Sequence, residues 1–339
     1  MTEPLFRVTD LEKHFVENTS ILDRFLRRER ERVRAVDGVS LDIHQGETLG
    51  LVGESGCGKS TVGETILGLQ PSTDGRVQFD GSDLDNVDSK QFRKRAQAVF
   101  QDPFSSVDPR WTVGRIIREP LDAHQLGTRK ERNEKVNELL ERVGLSTDQF
   151  DRYPSELSGG QLQRVNIARA ISINPDFILL DEPVSSLDVS VQAQVLNLLK
   201  DLQDEFGLTY LFITHDLGVI KQVSDRIAIM YLGKIVERGP TQTLLDSPQH
   251  PYTEALLESV PRPSPEEQTR SLSVPSGDVP SARNPPDGCR FHTRCPEARE
   301  VCRQREPPEF EVGADHDAAC FRVAKDHEYW RSEELTTAD

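Results

Sequence analysis

The chain predicts an α/β fold built on a parallel sheet, and three observations carry that reading. Short continuous apolar runs at Phe177–Leu180 and Tyr210–Thr214 have the character of parallel strands covered on both faces. Helical stretches such as Val191–Phe206 separate them, which is the alternation a parallel sheet with crossover helices needs. The apolar strand Thr48–Val52 runs straight into a glycine-rich turn and then a helical pattern from Ser60 to Leu69.

In chain order, Phe6–Leu11 reads as the first strand. Residues 16–35 carry the mixed charge run Arg27–Arg32 and read as a solvated helix or loop. Ser40–His44 alternates like a half-buried strand before the turn Gln45–Gly46. Between about 103 and 172 only helical patterns occur, for example Glu131–Val143, so this stretch reads as a helical subdomain inserted into the sheet domain. Ile227–Met230 turns at Leu232-Gly233-Lys234 and returns through Ile235–Glu237 as a hairpin. From Val260 onwards proline is dense, marking a linker or irregular segment that leads to a cysteine-containing module. The expected organisation is a large α/β domain over 1–245 and a small irregular extension over 246–339.

Composition bounds the function. With 339 residues, 35% hydrophobic and 29% charged, the chain has ordinary globular make-up and can bury a core. No apolar run approaches the roughly 20 residues of a membrane-spanning helix, so any membrane role is expected to be peripheral. The N-terminus lacks a basic stretch followed by an apolar one, which predicts no secretory signal and a cytoplasmic location. In that reducing setting the five cysteines are read as a metal site before a disulfide framework. A net charge of -16, from 57 acidic and 41 basic residues, argues against nucleic acid as a partner. Excess acid with little lysine also suits a salty, halophilic cytoplasm.

The sharpest motif is Gly53-Glu54-Ser55-Gly56-Cys57-Gly58-Lys59-Ser60, followed by Thr61. It fits the phosphate-loop pattern and sits between strand and helix, the context that confirms it. Its amides and the helix N-terminus favour phosphate, Lys59 adds a full charge at the β- and γ-phosphates, and Ser60 offers a hydroxyl to Mg²⁺. Phe177–Leu180 delivers Asp181 and Glu182 at its C-terminal end, where ligands bind in open α/β sheets. Asp181 is assigned to the Mg²⁺ shell, and Glu182 to orienting the attacking water or accepting its proton.

Leu157-Ser158-Gly159-Gly160-Gln161, taken with the phosphate loop, Gln101, Asp181-Glu182 and His215 in this order, resembles the ATP-binding subunit of ABC transporters over about residues 5–245. The resemblance implies that Ser158, Gly159, Gly160 and Gln161 contact ATP held by a partner subunit in a head-to-tail dimer. It further implies that Gln101 reaches Mg²⁺ and senses the membrane subunit, and that His215 bonds the γ-phosphate. Asp188 would lie in the segment that crosses the dimer, and Phe15 would stack on adenine. Every motif is intact, so an active ATP hydrolase is expected.

Cys289, Cys295, Cys302 and Cys320 match the ligand count of a zinc or iron-sulfur site without the close pairing of zinc ribbons. Pro248–Thr253 and Gly288–Pro296 look like the C-terminal extension of oligopeptide and dipeptide importer ATPases, which implies a [4Fe-4S] cluster on these four thiols, with Zn²⁺ as the alternative. The family implies two transmembrane permease subunits, a paralogous ATPase as dimer partner, an extracytoplasmic solute-binding protein, and a place on the cytoplasmic face of the membrane. The expected function is ATP hydrolysis coupled to uptake of peptides or a related solute such as nickel. The competing class is a soluble ABC ATPase acting on ribosome or DNA with a metal-binding tail. It predicts tandem cassettes, a coiled-coil insertion or basic stripes, and none of these is in the sequence.

Overall fold

The computed structural model describes residues 3–16, 32–259 and 278–335. In chain order the elements are β1 (Phe6–Val16), β2 (Arg32–Ile43), β3 (Thr48–Val52), α1 (Lys59–Ile66), β4 (Asp74–Phe79), β5 (Ser82–Asp83), α2 (Ser89–Arg95) and β6 (Ala96–Val99). They continue with α3 (Val113–Ala123), α4 (Arg129–Arg142), α5 (Gly159–Ile171), β7 (Phe177–Asp181), α6 (Val189–Phe206), β8 (Thr209–Thr214), α7 (Leu217–Val223), β9 (Arg226–Tyr231) and β10 (Lys234–Pro240). The last are α8 (Thr241–Asp246), α9 (Pro251–Glu258), α10 (Glu300–Gln304), β11 (Phe310–Gly313) and β12 (His316–Ala318).

Two compact units are present among the described residues: one from 3–6, 43–48 and 78–213, the other from 7–16, 32–42, 49–77, 214–259 and 278–335. In the first unit β6, β7 and β8 pair in parallel, with Val99 opposite Leu180 and Asp181 opposite Ile213. All five residues of β7 are buried, as a parallel strand covered on both faces must be. Phe6, Phe79, Phe92 and Phe177 form an aromatic nucleus, the Phe6 and Phe177 rings lying 4.6 Å apart. The stretch 113–171 is helical as its periodicity predicts. Helix α3 packs on α4 and α5 and buries Val113, Ile116, Ile117 and Leu121. Thr128 starts α4 with a capping box closed by Glu131.

In the second unit β3 pairs in parallel with β9, β10 returns antiparallel to β9, and the hairpin of β12 and β11 continues the sheet beyond β10. A β-bulge between Ile235 and Glu237 kinks β10. The C-terminal segment is thus not wholly irregular; its last strands belong to the sheet that carries the phosphate loop.

Two expectations at the N-terminus need correction. The first strand runs on to Val16 because Asp10, in the left-handed region at φ 47°, resets the inward and outward alternation that ended at Leu11 in the sequence reading. Residues 32–35, expected as solvated helix or loop, open β2, with Arg32 and Arg34 outward and Val33 and Ala35 half-buried. Charge on one face of a strand resembles a solvated run when it is read residue by residue. The remainder of the charged run and the proline-rich stretch 260–277 lie outside the described residues.

Candidate functional site: a phosphate loop and a strand-end carboxylate pair

In the second unit the loop 53–58 leaves buried β3 and opens directly on α1. Gly58 sits at φ 107°, and a Cβ there would stand 2.0 Å from the carbonyl oxygen of Ala35, so only glycine fits. The loop is stapled from behind, where the Gly233 amide donates to the Cys57 carbonyl at 2.9 Å. Lys59 is buried, and its Nζ donates to the carbonyls of Gly53 at 2.7 Å and Glu54 at 2.9 Å. Ser55, Gly56 and Ser60 are exposed and Thr61 is half-buried, at the N-terminus of α1, where backbone amides favour an anion. The Cys57 side chain is buried, and that burial pushes its thiol up despite the nearby Lys59 charge. His215 follows β8 and is exposed, while Phe15 is 37% exposed on β1 with Lys13 Nζ 5.0 Å from its ring centre.

The loop is also gripped by residues far along the chain. Arg294 meets the Glu54 carboxylate with both terminal nitrogens, at 2.9 and 3.1 Å, and the Tyr252 hydroxyl accepts the Glu54 amide at 3.0 Å. The sequence gives no sign of these contacts, since no local spacing joins residues so distant.

In the first unit the sequence-predicted carboxylates stand where β7 ends. Asp181 is buried as the last residue of the strand. Glu182 follows in the left-handed region at φ 47°, held by its amide on the Ile213 carbonyl at 2.9 Å. A non-glycine residue there costs on the order of 1 kcal/mol, and such cost gathers at functional sites. Gln101 Nε2 donates to Glu182 Oε2 at 3.0 Å, so the structure joins two residues that the sequence proposed separately.

Ser158 caps α5 with a full capping box. Its Oγ accepts from the Gln161 amide at 3.3 Å, and Gln161 Oε1 accepts from the Ser158 amide at 3.0 Å. A Cβ on Gly160 would meet Val191 at 2.5 Å, so the glycines let the start of α5 lie against the start of α6. Asp188 caps α6 by accepting from the Ser190 hydroxyl at 2.6 Å and the Val191 amide at 3.0 Å, which hold its carboxyl below the usual range.

The four C-terminal cysteines line one small pocket with His250 and Phe291. Burial pushes all four thiols up, Cys295 to about 12 and Cys320 to about 11. Among the described residues no three of these sulfurs lie within 4.8 Å of one another. A zinc ion with Zn–S bonds of about 2.3 Å would require them about 3.8 Å apart. Among the described residues, the group whose ligand atoms lie within 4.8 Å of one another is Glu12, His14 and Asp37. Its members are spent on each other and on Arg290, with His14 Nε2 2.9 Å from Asp37.

Residues 36–185 match the family described as ABC transporter, and residues 236–302 match the oligopeptide/dipeptide transporter C-terminal region. The chain is 50% identical over 323 residues to the oligopeptide transport ATP-binding protein AppF of Bacillus subtilis, covering 94% of this chain and 97% of that one. A dimeric ATP-binding cassette solved in a post-hydrolysis state with ADP and Pi superposes with TM-score 0.61 at 29% identity, over 70% of this chain and 98% of that chain. A cassette of the ABC transporter complex cbiONQ from Clostridium perfringens gives TM-score 0.61 at 25% identity, over 73% of this chain and 92% of that chain. No described helix is long and apolar enough to cross a membrane. The chain belongs to the ATP-binding subunits of the oligopeptide/dipeptide ABC transporters and is an ABC ATPase.

Proposed function

We propose that this chain hydrolyses ATP to drive peptide uptake through two permease subunits, seated peripherally on the cytoplasmic face of the membrane. The observation that carries the reading is the phosphate loop opening on α1 with Lys59 gathered beneath it. Residues 1–245 form the ATPase domain, the stretch 103–172 its helical subdomain, and 246–339 the extension. Amides of Gly53 and Ser55 through Gly58, with Lys59 and Thr61, bind the phosphates, and Phe15 takes the adenine ring. Ser60, Gln101 and Asp181 would hold Mg²⁺, which neutralises charge that develops on the phosphates. Glu182, kept in place by Gln101, orients the attacking water and takes its proton. His215 bonds the γ-phosphate. Ser158, Gly159, Gly160, Gln161 and Asp188 face ATP on a paralogous ATPase, and ATP-driven closure of that heterodimer is passed to the permeases. An extracytoplasmic solute-binding protein delivers the peptide or a related solute such as nickel.

For the four thiols we favour a [4Fe-4S] cluster over zinc. Four cysteines on one pocket, two buried and two half-buried, fit the donor set, and no three of their sulfurs gather within 4.8 Å as a single tetrahedral ion would need. The cluster would supply electron transfer or a rigid four-point clamp. Glu and Asp in excess over Lys support a halophilic surface, and undiminished activity in dilute buffer overturns that part.

Tagged chain purified from gently solubilised membranes tests the whole reading. Two polytopic permeases, a second ATPase and a solute-binding protein are expected alongside it, with iron and sulfide when the preparation is anaerobic. Recovery only from the soluble fraction with ribosomes or DNA-bound proteins overturns the importer, and absence of both iron and sulfide overturns the cluster.

A further inference from the structure

We propose that Tyr252 and Arg294, from the C-terminal part of the chain, are positioning residues for the phosphate loop and set its affinity for ATP. The inference rests on reading 53–60 as the ATP phosphate site.

The argument begins with one peptide plane. The Gly53 carbonyl and the Glu54 amide belong to the same planar unit, and in a trans peptide they point in opposite directions. Tyr252 takes the amide at 3.0 Å, and the carbonyl on the other side receives Lys59 Nζ at 2.7 Å. The tyrosine therefore sets the orientation of the plane on which the phosphate-binding lysine rests. Tyr252 itself has little freedom: it is 1% exposed, on α9, with the Tyr231 ring 4.7 Å and the Phe291 ring 5.3 Å away. Burial raises its hydroxyl above the ordinary range, so it remains a neutral group able to accept that amide.

The second contact concerns charge. Glu54 puts a carboxylate beside a loop whose task is to bind a polyanion, and a free carboxylate there would repel ATP. Arg294 covers it in a two-point ion pair, and the guanidinium also reaches the Tyr231 hydroxyl at 3.4 Å and lies 5.9 Å from the centres of the Tyr231 and Phe291 rings. At 7% exposure the arginine is nearly buried, and its neighbour Cys295 lines the cysteine pocket. One residue of the loop is thus held at its backbone and at its side chain by two residues outside the ATPase motifs.

Equilibrium titration of the full chain with a fluorescent ATP analogue tests the proposal, with melting temperature recorded for each variant. Tyr252→Phe, which removes one oxygen, and Arg294→Gln are each expected to raise the dissociation constant, Arg294→Gln by about tenfold or more. KM for ATP should rise alongside while kcat at saturating ATP changes far less. The discriminating arm is Glu54→Gln placed on Arg294→Gln: removing the uncovered carboxylate should restore affinity, which no merely structural role for the arginine predicts. Wild-type affinity in Tyr252→Phe and Arg294→Gln, or failure of Glu54→Gln to restore binding, overturns the proposal. Lys59→Ala tests the underlying reading separately, because retained affinity there would show that ATP phosphates bind elsewhere.

Discussion

Glu182 combines two demands that a sequence states only in part. Its place after an apolar strand is plain in Phe177–Leu180, and so is the carboxylate pair it completes. Its left-handed backbone and its bond from Gln101 are not, because both come from the strand partners β6 and β8. Glu182→Gln preserves side-chain length and leaves the backbone as it is, so stability should shift by no more than about 0.5 kcal/mol. It removes the carboxylate proposed to take the proton, so ATP should still bind while turnover falls to background in a phosphate-release assay. Undiminished hydrolysis would refute its role. Gly58 shows the opposite case: the pattern of the loop requires glycine there, and the structure supplies the reason in the Ala35 carbonyl.

At the scale of elements, legibility follows length and capping. Helix α6 was readable because eighteen residues repeat an apolar face between the cap Asp188 and Gly207, which ends it at φ 64°. Strands β11 and β12, with four and three residues, carry too few side chains to display a period and are held by pairing with β10 and each other. Helix α5 is set at its first turn by reciprocal bonds between Ser158 and Gln161. Ser158→Ala should cost about 1 kcal/mol, and Ser158→Thr, which keeps the hydroxyl, much less. Denaturant midpoints of the two variants measure that difference; equal values would show that the cap does not limit this helix.

For the molecule as a whole, the C-terminal extension is structural to the second unit. Glu237 is fully buried, and its carboxylate accepts from the amides of Gln249 at 2.8 Å and His250 at 2.9 Å and lies 2.8 Å from His316 Nε2. Ending the chain after Ser247 removes all three partners and bares the β10 edge that β12 covers. With that edge unpaired and the packing of the extension gone, the shortened chain should lose folded yield and aggregate in light scattering. A soluble, monomeric fragment with normal ATP affinity would contradict this. Sequence periodicity foresaw the sheet but not this dependence, because Glu237 in a strand looks like any outward charge until its partners are known. The grip on Glu54 has a consequence in time. Its two partners lie 198 and 240 positions further along the chain. During synthesis from the N-terminus, strand β3 and its glycine loop emerge early and wait through most of translation for the residues that complete them. Until its cysteine segment has left the ribosome a nascent chain lacks both contacts to Glu54, so on the proposal above a chain cut short is expected to bind nucleotide more weakly than the complete one.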